Sequence, residues 1–66
     1  MNMTPGLCYR ITLANGDTEV FKFLGHSNGQ SQIEVPAGSG TRSTFEKEYP
    51  GAYQAVDEVE CPNSDK

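Results

Sequence analysis

The glycine-rich stretch PAGSGTRST, residues 36–44, has a composition that suggests anion chemistry. A glycine-rich loop that leads into a helix can present backbone amides to a phosphate. The nucleotide-binding form of such a loop, G-x-x-x-x-G-K-[ST], has a lysine directly after its last glycine, whereas here Thr41 and Arg42 follow Gly40. A flexible linker with a helix cap is therefore the preferred interpretation. If an anion binds, we expect it at Gly40, Thr41, Arg42 and Ser43.

The histidine and cysteine positions form no catalytic or metal-binding pattern. His26, the single histidine, lies in a stretch (25–29) whose glycines and asparagine indicate an exposed turn, and the local sequence does not supply the positioned nucleophile or substrate that a catalytic base needs. Cys8 and Cys61 stand near opposite ends of the chain and lack the paired spacing of a zinc site. We therefore predict no catalytic residues, no metal, no cofactor and no enzymatic activity.

The redox state of the cysteines depends on the compartment. The N-terminal residues MNMTPGL contain neither a basic segment nor an apolar run, so the sequence shows no secretory signal and no membrane span. We accordingly expect a cytoplasmic protein, in which Cys8 and Cys61 are free thiols. A disulfide between neighbouring strands is the less favoured alternative.

Alternating apolar residues predict a β-hairpin. Strands are expected at 7–13 and 18–25, because apolar and polar residues alternate there. A three-residue loop, 14–16, pairs Tyr9 with Phe21, whereas a two-residue loop would bring buried positions opposite charged ones. The predicted apolar face carries Leu7, Tyr9, Ile11, Leu13, Phe21 and Phe23.

The second half of the chain predicts one more strand, a helix and a final strand. A third strand at 30–35 follows the Asn28-Gly29 turn signal and ends at Pro36. Ser43 and Glu46 form a capping box for a short helix at 42–49, which would place Phe45 and Tyr49 on one face. Residues 52–61 fit both a strand and a helix, and we narrowly favour a strand.

The predicted order is therefore β-β-β-α-β, an α+β fold with a small antiparallel sheet and one short helix. A single domain of 66 residues is expected, with a loose arm at 1–6 and a disordered tail at 62–66.

Charge and exposed surface set the expected partners. The net charge of −4 argues against direct electrostatic binding of nucleic acid or of an anionic membrane. A protein partner is therefore expected, and a chain this short also makes a homodimer a reasonable expectation. The candidate binding residues lie on one sheet face and in two acidic segments: Val20, Lys22, Leu24, Glu46, Glu48, Asp57 and Glu58. The sheet face with Val20, Lys22 and Leu24 is either exposed for docking or covered by the final segment or by a second subunit, and the sequence favours neither alternative.

Two resemblances extend the analysis. The stretch ITLANGDTEVFKFLG followed by QIEV resembles the first strands of Sm-like and SH3-like small β-barrels, with Leu13, Gly16 and Gly25 at the turn and bend positions. This resemblance implies a barrel as the alternative fold and a nucleic-acid-binding module as the alternative function, with Tyr9, Phe21 or Phe23 stacking on bases if they are exposed. The segment EYPGAY before a final strand is similar to small phage and mobile-element proteins, which implies an accessory protein or inhibitor that docks on a host or defence protein.

Overall fold

A computed structural model describes residues 3–62 of the chain. These residues form one antiparallel sheet of five strands and one short helix: β1 Cys8–Leu13, β2 Thr18–Ser27, β3 Gln30–Glu34, β4 Arg42–Thr44, α1 Phe45–Glu48 and β5 Tyr53–Val59. The strand order in the sheet is β4-β3-β2-β1-β5. The predicted α+β fold with a small antiparallel sheet is confirmed. β4 and β5 are the two edge strands, and no pairing between them occurs within residues 3–62, so the sheet is open.

The β1–β2 hairpin has the predicted register. Tyr9 pairs with Phe21, and the loop is the three-residue segment 14–16. Gly16 adopts a left-handed backbone, with φ of 95°, and its amide donates to the Leu13 carbonyl at 2.9 Å. Ile11 and Phe21 are completely buried on one face, so burial selects this register as predicted.

Strand β2 is longer than predicted. It was expected to end at residue 25, with a turn over 25–29, but it continues to Ser27, which pairs with Gln30. Only Asn28 and Gly29 form the turn, with φ of 55° and 77°. Two consecutive left-handed residues match the twist of the flanking strands, so pairing continues to the turn itself. His26 consequently lies in a strand, with its ring 5.2 Å from that of Phe23.

The predicted helix at 42–49 is wrong in its first turn. Residues Arg42–Thr44 form the short strand β4, in which Arg42 pairs with Glu34. Because β3 binds these residues in the sheet, the helix begins only at Phe45, and Thr44 replaces Ser43 as its N-cap. The Thr44 hydroxyl accepts from the Lys47 amide at 3.2 Å.

The core lies between α1 and one face of the sheet. Its buried residues are Tyr9, Ile11, Phe21, Phe23, Ile33, Phe45 and Tyr49. The Phe21 ring lies at its centre, with the ring centroids of Tyr9, Phe45 and Tyr49 at 5.9, 5.6 and 5.9 Å. Phe45 and Tyr49 share one face as predicted, with centroids 5.2 Å apart. Such aromatic pairs each add about 0.5–1.5 kcal/mol beyond the burial of their area.

The last strand brings the two cysteines together. Residues Tyr53–Val59 form a strand, as narrowly predicted, antiparallel to β1, and Val59 pairs with Cys8. Cys61 therefore lies over the start of β1, where it forms a disulfide with Cys8 at a Cα–Cα distance of 5.0 Å. The prediction of free thiols is wrong, because strand pairing, and not a nearby sequence motif, places the two residues together.

Residues at the start of the described chain contact the core. The Thr4 amide donates to the Tyr9 hydroxyl at 2.8 Å, and the Gly6 amide donates to the Phe23 carbonyl at 2.8 Å. Met3 packs against the core cluster. Of the predicted arm at 1–6, residues 1–2 lie outside the described residues, as does the predicted tail apart from Pro62.

Candidate functional site

The glycine-rich loop binds the carboxylate of Glu34, a residue of the same chain. The amides of Gly38 and Gly40 donate to the two carboxylate oxygens of Glu34, at 2.8 and 3.1 Å. The loop is fixed further by a hydrogen bond of 3.0 Å from the Ala37 amide to the Val20 carbonyl. The expected flexible linker is thus a folded turn around a carboxylate. The signal for this arrangement in the sequence is Glu34, an acidic residue shortly before the glycines.

The four residues proposed for anion binding do not converge on one point. The Gly40 amide binds Glu34, and the Thr41 amide donates to the Ser39 hydroxyl at 3.1 Å. Arg42 lies in β4, and the Ser43 hydroxyl donates to Glu48 at 2.7 Å. Because the amides and the hydroxyl already have partners, this loop offers little to a free phosphate.

A cleft of about 410 Å³ lies beside the β1–β2 turn and the end of α1. Glu19, Glu48 and Tyr49 line it, and Glu19 and Glu48 also line a neighbouring cleft of about 350 Å³; we call both together the acidic cleft. The Tyr49 hydroxyl donates to Glu19 at 3.0 Å. Burial, and then the bond and charge of Glu19, raise the pKa of Tyr49 well above its ordinary value of 10.0. Tyr49 therefore stays protonated and anchors α1 to β2, and it is unsuited to be a general base.

The predicted acidic residues divide into two groups. Glu46 and Glu48 lie on α1, whereas Asp57 and Glu58 lie on β5. Successive strand residues point to opposite faces, so Asp57 pairs with Arg10 on one face and Glu58 with Tyr9 on the other. These four carboxylates were all named as candidate binding residues, but they do not form one surface.

Glu46 has a structural role. Its carboxylate accepts from the Ser31 backbone amide at 3.1 Å. That hydrogen bond is the main reason that the pKa of Glu46 is lowered from its ordinary value. The negative charge of Glu46 thus satisfies a strand amide of β3.

The predicted patch on β2 is half-buried. Val20, Lys22 and Leu24 lie in the middle strand of the sheet and are each partly covered. Val20 lines the smaller cleft together with Val35 and Pro36. The Ala37 amide donates to the Val20 carbonyl at 3.0 Å, so the segment after β3 lies beside Val20.

The outer edge of β5 is one of the two edges of the sheet. β5 has seven residues, pairs with β1 on one side, and is the last strand in the order, so its other side has no partner strand within residues 3–62. Gln54, Ala55, Asp57 and Glu58 are exposed, and the exposed Glu60 follows the strand. We call residues 53–60 on this side the β5 edge. It combines unpaired strand backbone with three carboxylates, and the sequence could not show that 53–59 is an edge strand.

Metal and membrane sites are not found in the part of the chain that the structure describes. Between residues 3 and 62, His, Cys, Asp and Glu side chains form no group of three or more that could hold a metal ion. No helix within the same range has the length and apolar character needed to cross a membrane.

Comparisons with protein-family models, with curated proteins and with solved structures find no match to this chain.

Proposed function

We propose that this protein is a small acidic, non-enzymatic protein-binding module, whose β5 edge binds a basic, extended segment of a partner protein. The single observation that carries the proposal is the position of β5, a seven-residue strand at the edge of the sheet with three carboxylates in or beside it. An unpaired strand edge can accept a partner strand through backbone hydrogen bonds.

The charge of the edge selects the occupant. Asp57, Glu58 and Glu60 would repel a second β5 from another copy of the chain, and charged side chains on edge strands prevent such self-pairing. A lysine- or arginine-rich segment would meet favourable charge in and beside the same strand. The edge therefore favours a basic partner over a homodimer through β5.

The disulfide supports this role because it fixes β5 to the neighbouring strand β1. Cys61 follows the acidic end of β5 and is bonded to Cys8 in β1. The docking strand is therefore attached covalently to its neighbour, and a partner that pairs with β5 does not need to order a loose segment first.

The nucleic-acid alternative finds less support. The three rings expected to stack on bases, Tyr9, Phe21 and Phe23, are 6%, 0% and 0% exposed. A phage or mobile-element accessory protein or inhibitor that docks on a host or defence protein stays a prediction, and the β5 edge is the surface that we propose for it.

The test is a titration with synthetic peptides of the length of β5 that alternate lysine and valine, read out by fluorescence anisotropy. The lysines of such a peptide lie on one face of the strand and meet either Asp57 or Glu58. Reversal of both charges, in a variant with Asp57→Lys and Glu58→Lys, should therefore weaken binding several-fold, since the lost attraction and the new repulsion are each worth about 0.2–1 kcal/mol. A glutamate–valine peptide should not bind.

The matched control separates the β5 edge from the acidic cleft. The Glu48→Lys variant changes the charge of α1 and should leave peptide affinity nearly unchanged. A lysine–valine peptide with every backbone amide methylated should lose binding, because strand pairing needs those donors. Equal affinity of the methylated peptide, or a larger loss in Glu48→Lys than in the β5 variant, would reject docking at this edge.

A further inference from the structure

The chain contains two Asn-Gly pairs, which the fold places in different hydrogen-bonding environments. Asn15-Gly16 lies in the β1–β2 loop and Asn28-Gly29 in the β2–β3 turn. Both pairs are exposed. Asparagine followed by glycine is prone to deamidation, because glycine has no side chain to hinder its backbone nitrogen from attacking the asparagine side chain.

The Asn15 pair is held by three hydrogen bonds. The Asn15 Nδ2 group donates to the Asp17 carboxylate at 3.1 Å, and its Oδ1 accepts from the Asp17 amide at 2.9 Å. The nitrogen that would attack, that of Gly16, donates to the Leu13 carbonyl at 2.9 Å. Both reacting groups must leave these partners before they can meet.

The Asn28 pair lacks comparable bonds. Between residues 3 and 62, neither the Asn28 side chain nor the Gly29 amide has a hydrogen-bond partner. A Cβ placed on Gly29 would have no heavy atom within 4 Å beyond its chain neighbours, and the same is true of Gly16, so the two pairs differ in their hydrogen bonds and not in steric crowding.

We propose that Asn28 is a site of spontaneous deamidation in the folded protein, whereas Asn15 is protected by its hydrogen bonds. The Gly29 nitrogen attacks the side-chain carbonyl carbon of Asn28, and a C–N bond forms. The amide group leaves as ammonia, taking up the proton that the Gly29 nitrogen loses. Water then opens the cyclic imide at either carbonyl and yields aspartate or isoaspartate.

The product alters the β2–β3 hairpin. Each product carries one more negative charge than asparagine. Isoaspartate also adds a methylene group to the backbone of the two-residue turn, directly beside the pair formed by Ser27 and Gln30. The modification therefore disturbs the turn geometry that aligns these two strands.

The experiment follows both sites in one sample. The oxidised protein is incubated in mildly alkaline buffer, and peptide mass spectrometry measures the acid form of each Asn-Gly peptide over time. Three ordinary hydrogen bonds correspond to a slowing of roughly a hundredfold if all must break, so we expect Asn28 to react at least about tenfold faster than Asn15. In concentrated denaturant the two rates should become similar. Comparable rates in the folded protein, or a faster reaction at Asn15, would overturn the proposal.

A variant tests the protecting bonds directly. Asp17→Ala removes the carboxylate that binds Asn15 Nδ2 and should raise the rate at Asn15 several-fold. The rate at Asn28 in the same sample serves as the internal control and should not change. An unchanged Asn15 rate in a variant whose Asn28 rate is also unchanged would show that the bond to the Asp17 carboxylate does not protect the site, and would contradict this part of the proposal.

Discussion

Reduction of the Cys8–Cys61 disulfide should destabilise the fold by about 4 kcal/mol. The two cysteines are 53 positions apart, so the bond closes most of the chain into one loop. In the chain-entropy account, closure of a loop of this length removes about 14 cal/mol/K from the unfolded ensemble, which is about 4 kcal/mol at 25 °C. A domain of 66 residues typically has roughly 3–10 kcal/mol of stability in total. The disulfide is therefore expected to supply a large share of the free energy of unfolding.

The measurement is equilibrium unfolding in urea, followed by far-UV circular dichroism, with and without a reductant. The reduced protein should unfold at a much lower urea concentration. A double variant, Cys8→Ala with Cys61→Ser, should match the reduced protein and should not respond to the reductant. Alanine is chosen at position 8 because Cys8 is 1% exposed and a hydroxyl there would be buried.

The result that refutes this reasoning is a small difference. If reduction costs less than about 1 kcal/mol, with a confirmed change in thiol number, the unfolded chain must already hold residues 8 and 61 close together. The entropic origin assigned to the disulfide would then be wrong for this protein.

Two further predictions concern single side chains. Because the pKa of Tyr49 is raised in the folded protein, the unfolded state loses this proton first, and the free energy of unfolding should fall as pH rises above 10.0, by up to about 1.4 kcal/mol per pH unit. Urea unfolding at several alkaline pH values measures this slope, which Tyr49→Phe should reduce. An unchanged slope in the variant would contradict the assignment. Replacement of Glu34 by Gln should weaken the hydrogen bonds to the amides of Gly38 and Gly40 and speed the hydrogen exchange of these amides. The Gly16 amide, whose acceptor is a backbone carbonyl, serves as the unaffected control. Equal exchange of the Gly38 and Gly40 amides in both proteins would show that the Glu34 charge does not hold the loop.

The parts of the fold predicted from sequence are those specified by local patterns together with burial. The Asn15-Gly16 pair is compatible with a two-residue or a three-residue loop. Only the three-residue loop places Tyr9 and Phe21 on the same face, so burial was enough to choose the register. The Phe45–Tyr49 spacing likewise predicted a shared buried face. In both cases a few residues carried the required information.

The parts that were missed depend on contacts between distant segments. Strand β4 has only three residues, too few for an alternating pattern, and it exists because β3 pairs with it. The disulfide depends on the pairing of β5 with β1, which no local motif around either cysteine indicates. The division of the four carboxylates, Glu46, Glu48, Asp57 and Glu58, could not be predicted, because their sequence positions say nothing about the side of the sheet on which each lies.

The proximity of Cys8 and Cys61 also determines how the molecule responds to tension. Their Cα atoms are 5.0 Å apart, and residues 9–60 lie inside the bonded loop. When the chain is pulled from its two ends, the load passes through the covalent S–S bond, and the hydrogen bonds between β1 and β5 bear almost none of it. The oxidised protein should therefore extend only by the residues outside the bonded loop. The reduced protein should lose β5 first, because Cys8 and Val59 pair at one end of the ladder and the pull opens its hydrogen bonds one after another from that end.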